Sequence, residues 1–173
     1  MQQPIVALAL LLISSACCAQ DCKLPKLEHF PSTHPECLFY TGTSAFREER
    51  YQDAFASWQQ LLDVSPIPIE LEYLRTDATN NLGYLFYVGL GVSRAPERAI
   101  GLWKSAFAKG HEEAAYHLCH VYADSSQPEY APELGRSYCL EAVRRYGALR
   151  DDERENAKVL QLAKGYLDAL PKQ

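Results

Sequence analysis

Apolar residues recur at three-to-four spacing along most of the chain, the period of a helix with one buried face. "CLFYTGTSAFREE" carries Leu38, Tyr40 or Gly42, Ala45 and Phe46 in that rhythm. "RYQDAFASWQQLLDV" repeats it with Tyr51, Ala54, Phe55, Trp58, Leu61 and Leu62. Between them, Arg47-Glu48-Glu49-Arg50 mixes both signs and reads as solvated helix surface. Pro66 and Pro68 then break the chain, because proline lacks the amide donor that a helix interior needs. A long helix is predicted over 69–88. A second is predicted over 95–109, with Pro96 and Glu97 in its first turn and Gly110 as its stop. Further helices are expected over 112–123, over 132–146 with Gly147 as stop, and from about Asp151 onward. The last presents Ala157, Leu160, Ala163, Tyr166, Leu167 and Leu170 on one face, and "DSSQPEYAP" reads as a loop. Strand alternation is sustained nowhere, so the chain is predicted to be all-α, built from antiparallel helix pairs.

The N-terminus follows a different pattern. Residues 5–13 are an unbroken apolar run, followed by the small residues of "SSACCAQ". Nine residues are too few to span a bilayer but suit the core of a secretory leader. Cleavage after Ala19 would leave Gln20 at the new terminus, although no Lys or Arg precedes the run. The rival reading makes Cys17 a lipid-anchored residue, but the preferred leucine three positions before it is missing. No second apolar stretch is long enough to be a membrane span. The protein is therefore expected to be exported, periplasmic or secreted.

Export changes the meaning of the cysteines. Cys17 and Cys18 would leave with the leader, and Cys22, Cys37, Cys119 and Cys139 would remain. An even number in an oxidising compartment suggests disulfides. Three connectivities are open, and proximity favours Cys22–Cys37 with Cys119–Cys139. The segment "DCKLPKLEHFPSTHPEC" between the first two, with three prolines, is expected to be extended and loop-like. A formal net charge of -5 argues against a nucleic-acid binder, which needs a basic face to displace counterions from phosphates.

The chain also repeats. Ala78, Leu82, Leu85 and Phe86 fall on Ala114, Leu118, Val121 and Tyr122 at a constant offset of 36 residues. At that offset Gly83 falls on Cys119 and Trp103 on Cys139, and Ala54 stands to Trp58 as Ala99 stands to Trp103. "NNLGYLFYVGLGV" holds Gly83, Gly89 and Gly91 in a segment otherwise apolar and aromatic, although each interior glycine costs a helix about 1 kcal/mol. Close helix contact at Gly83 and a tight turn at Gly89 and Gly91 would explain them. The A-x-x-x-L-G of Ala78, Leu82 and Gly83, the G-x-G-V of Gly89, Gly91 and Val92, and "ERAIGLWKSAFAKGHEEA" together resemble the Sel-one-like repeat, a relative of the tetratricopeptide repeat. The following unit departs from it, with Cys119 for the glycine and "ADSSQPEYAPE" for the turn.

The resemblance implies a short α-α superhelix. Its expected organisation is a leader over 1–19, a loop-like segment over 20–36, a divergent tetratricopeptide-like pair over 37–68, a Sel-one-like repeat over 69–110, a second divergent one over 111–147, and a capping helix over 148–173. It also implies binding, because the first helices of such pairs line a concave face whose exposed residues select a partner. Those positions would be Asn81 and Tyr84 in one repeat and His117 and His120 in the next, three residues apart in each case. The expected role is a monomeric, non-catalytic adaptor for a protein or peptide, with no cofactor. Some cysteine-rich secreted relatives have been linked to β-lactams, which makes a β-lactam-binding or β-lactam-hydrolysing protein the alternative. A buried acid–base pair in the groove would favour that alternative.

Other chemistry finds little support in the residues. "HEEAAYHLCH" holds three histidines, yet a metal site needs three or four converging ligands, and the spacing is not H-E-x-x-H. The sequence contains no G-x-S-x-G, S-x-x-K in the mature part, or glycine-rich phosphate loop. The G-x-G at Gly89 follows a helix rather than a strand.

Overall fold

A computed structural model describes residues 22–148 and 154–172. The expected leader, the acylation candidate Cys17 and the expected helix start at Asp151 lie outside the described residues. The described chain forms seven α-helices: α1 (Pro35–Arg47), α2 (Tyr51–Asp63), α3 (Glu72–Val88), α4 (Pro96–Ala108), α5 (Glu112–Ala123), α6 (Pro132–Gly147) and α7 (Arg154–Ala169). Each helix packs on the next, while α1 also meets α3 and α5 also meets α7. The odd-numbered helices therefore form one row and the even-numbered helices the other, which is an all-α helical-repeat superhelix. Among the described residues no helix is long and apolar enough to cross a membrane.

The core is a relay of three clusters. Leu38, Trp58, Leu61, Leu74 and Leu82 join α1, α2 and α3. Phe86, Ile100, Trp103 and Leu118 join α3, α4 and α5. Cys119, Cys139, Ala163 and Leu170 carry the contact on to α7. Each large buried side chain contributes about 1.5–3 kcal/mol, so the helices stand by stacking rather than by propensity.

Gly83 takes the contact the repeat requires. A methyl group there would lie 2.5 Å from Trp103 Nε1, and that indole donates to the Asn80 carbonyl at 3.2 Å. Trp58 does the same one pair earlier. It fills the notch at Gly42 and donates to the Phe39 carbonyl at 3.2 Å. In the third pair the equivalent positions are joined covalently, as Cys119–Cys139, and Cys22–Cys37 is the second disulfide. Gly91 is constrained twice over. Its φ is 69°, and a Cβ there would come within 2.6 Å of the backbone of Tyr51 and Gln52 at the start of α2.

The unit after Gly110 lacks the G-x-G-V turn but closes identically. Ala95 N–H donates to the Phe86 carbonyl at 2.8 Å, and 36 residues later Ala131 N–H donates to the Tyr122 carbonyl at 2.9 Å. Asp124 replaces the glycines by accepting from Ser126 N–H at 2.9 Å, an aspartate-driven turn.

Four expectations need correction. Glu48–Arg50 is a turn rather than helix surface: α1 ends at Arg47, and Glu49 adopts φ 60°. The segment between Cys22 and Cys37 is a series of turns rather than extended chain, with Cys22 N–H bonded to the Phe30 carbonyl. The helix expected from residue 69 opens with a 3-10 turn, Ile69–Leu71. Gly147 is the last residue of α6 rather than a stop beyond it.

Candidate functional site

The odd-numbered helices, the inner row, line an open recess of about 540 Å³. α1 contributes Thr43, Phe46 and Arg47, and α2 reaches it with Trp58. α3 contributes Asn80, Asn81 and Tyr84, and α5 contributes Glu113 and His117. Three of the four candidate residues therefore meet in one place. His120 is not among the lining residues. Its Nδ1 lies 2.6 Å from the Tyr166 hydroxyl, which ties α5 to α7.

The three are not equally open. Tyr84 is 37% exposed and Asn81 is half-buried. His117 retains only 14% of its side-chain exposure, because its ring stacks on Trp103 with centroids 4.5 Å apart. The position read as surface is thus mostly floor. Burial pushes His117 down to about 3, with His120 and His111 adding to the effect, so its ring is neutral at physiological pH. Glu113 Oε1 lies 3.8 Å from His117 Nε2. Burial raises the Glu113 carboxyl above its ordinary range, against the pull of His111 and of its hydrogen bond from Asn80. Half of the Glu113 side chain still reaches water at the mouth of the recess.

Asn80 is the most enclosed polar side chain here, at 1% exposure. Its Nδ2 donates to Glu113 Oε2 at 2.8 Å, and its Oδ1 has no hydrogen-bond partner. Rings make up the rest: Phe46 meets Tyr84 edge-on at 6.0 Å and Trp58 at 5.9 Å. His111 sits outside the recess as the N-cap of α5, accepting from Ala114 N–H. Its Nε2 is 3.3 Å from Asp77 Oδ1. Among the described residues no group of three or more His, Cys, Asp or Glu side chains is placed to hold a metal ion.

Thr43, Phe46, Arg47, Asn80 and Glu113 were not singled out by the sequence. One signal pointed to the first. If Gly42 is aligned on Gly83, Thr43 takes the place of Tyr84 and Tyr40 that of Asn81. The indole contacts at both glycines support that alignment.

No protein-family model matches the chain, and no curated protein matches it. Among solved structures, it is similar to a Sel1 repeat protein from Oxalobacter formigenes, with a TM-score of 0.51 and 16% sequence identity. The match covers 78% of this chain and 59% of that one. The chain thus spans less than two thirds of that protein's length. At this identity the likeness concerns the fold, and it is the fold that the repeat pattern implied.

Proposed function

We propose that the protein is an exported, monomeric, non-catalytic scaffold that binds a protein or peptide segment in the inner recess. The observation that carries this reading is the convergence of Asn81, Tyr84 and His117, from successive inner helices, on one open concavity. Asn81 is a two-way hydrogen-bonding group suited to a peptide backbone, and Tyr84 offers a ring at low entropic cost. Two disulfides and a leader-like N-terminus support export. The recess is tested by selecting a displayed random peptide library on the mature protein and on Asn81→Ala/Tyr84→Ala. Peptides retained by the parent and lost by the variant, with helical circular dichroism unchanged, support it. Selection of nothing, or of peptides held equally by both, rejects it.

A second reading is favoured by one observation, the placement of Glu113 beside the neutral His117. A recess holding a proton acceptor and a carboxyl suits a small molecule such as a β-lactam, bound or hydrolysed. The recess lacks an activated nucleophile: Thr43, its one aliphatic hydroxyl, donates to the Phe39 carbonyl at 3.0 Å. Scaffolding therefore remains the stronger reading.

A further inference from the structure

The recess carries opposite charges on opposite walls. Arg47 stands exposed at the end of α1 and has no ion-pair partner among the described residues. Its neighbours are already engaged, because Glu48 pairs with Arg50 at 2.9 Å and Arg50 also reaches Asp53. On the other side, α5 presents Glu113, half of whose side chain reaches water; its Oε2 accepts from Asn80 at 2.8 Å and its Oε1 lies 3.8 Å from His117 Nε2. His111, the other histidine near this wall, is held by Asp77. Between the walls lie the rings of Phe46, Trp58 and Tyr84. Among the described residues, a guanidinium without an ion-pair partner and a carboxyl paired with no Lys or Arg, set on either side of an aromatic floor, form a pattern that a ligand can complement.

We infer that the recess recognises a dipolar peptide segment, in which an acidic group pairs with Arg47, a basic group pairs with Glu113, and an apolar side chain between them seats on Phe46 and Tyr84. This rests on the reading of the recess as a peptide site and names what that site selects. A uniformly acidic segment would meet Glu113, and a uniformly basic one would meet Arg47, so each is disfavoured by one wall.

The probe is a displayed random seven-residue library, selected on the full mature protein, on Arg47→Glu and on Glu113→Gln. Arg47 is exposed, so its reversal leaves the fold intact. Glu113→Gln keeps a carbonyl acceptor for Asn80. The expected result is enrichment of segments with an acidic and a basic residue flanking an apolar one. Arg47→Glu then loses the acidic preference alone, and Glu113→Gln loses the basic preference alone. Synthetic copies with either charge neutralised bind the parent about tenfold more weakly. Peptides that depend on Asn81 and Tyr84 but carry no such charge pair overturn the dipolar inference and leave the peptide site standing. Absence of any peptide lost on Asn81→Ala/Tyr84→Ala overturns both.

Discussion

Trp103 lies so close to Gly83 that its indole nitrogen occupies the space of a side chain, 2.5 Å from where a methyl group would sit. The same nitrogen donates to the Asn80 carbonyl, so one contact both fills a notch and satisfies the indole N–H. Trp58 and Gly42 repeat the arrangement. Cys119 and Cys139 replace it with a bond, their Cα atoms 4.6 Å apart. One helix–helix contact is thus made in two chemical ways along a single stack. The Trp103 indole is also the floor on which His117 stacks, so this packing sets the depth of the recess.

Gly83→Ala should destabilise the protein by about 2 kcal/mol, because the indole is fixed between two helices and cannot yield. The gain in helix propensity, about 1 kcal/mol, does not offset this. Gly101→Ala is the control, since a methyl group in that exposed place on α4 meets nothing within 4 Å. It should stabilise by about 1 kcal/mol. Urea denaturation of both variants measures the difference. Equal effects of the same sign would show that the notch does not constrain Gly83.

Loss of the Cys119–Cys139 bond should cost about 3 kcal/mol, since it closes 20 residues. The equivalence of the three pairs makes a sharper prediction. Cys119→Gly with Cys139→Trp should recover part of the stability that Cys119→Ala with Cys139→Ala loses, because it rebuilds the contact found at Gly83. If the Gly/Trp variant is the less stable of the two under reducing conditions, the third pair does not share the geometry of the others.

The helices were legible because each buried face repeats at helical spacing, and the disulfides because four cysteines in an oxidising compartment pair most readily with their neighbours in sequence, a pairing the repeat register supports for Cys119 and Cys139. The turn at Glu48–Arg50 was not, because mixed charges suit a helix surface and a solvated turn alike, and a glutamate carries the positive φ. The recess was half legible. Tyr84 and Asn81 follow from the repeat, but repeat matching identifies a position without its depth, and depth made His117 floor. Glu113 and Asn80 belong to the recess through a contact across 33 residues, which no local spacing reports.

Acidification should reveal His117. Its pKa is depressed to about 3 in the fold, so between there and the ordinary value near 6.5 the unfolded chain binds the extra proton. This contribution is fully present above the unfolded value and is lost as pH falls. By pH 5 it should have removed about 2 kcal/mol relative to pH 7.5. Glu113 works in the opposite direction, since its raised carboxyl favours the protonated fold. Comparing the parent with His117→Gln isolates the histidine. The variant's stability should change less over that range in denaturation experiments, and parallel curves would mean that His117 is protonated in place.

The link between α5 and α7 predicts where the molecule opens first. Burial holds the Tyr166 phenol up at about 12 and pushes the His120 imidazole down, so at neutral pH the pair is uncharged and shares one hydrogen bond across 2.6 Å, its direction set by the tautomer of His120. Among the described residues α7 packs on α5 and α6, and its anchors include Ala163, Leu170, this bond and the contact of Arg136 with the Pro171 carbonyl. Tyr166→Phe keeps the ring and removes the bond, at a cost of about 1 kcal/mol. Hydrogen exchange should then accelerate through α7 while α1–α4 stay protected, because the core clusters on that side do not include Tyr166. Uniform acceleration along the chain would instead mean that α7 unfolds only with the whole stack, and that the three core clusters behave as one cooperative unit.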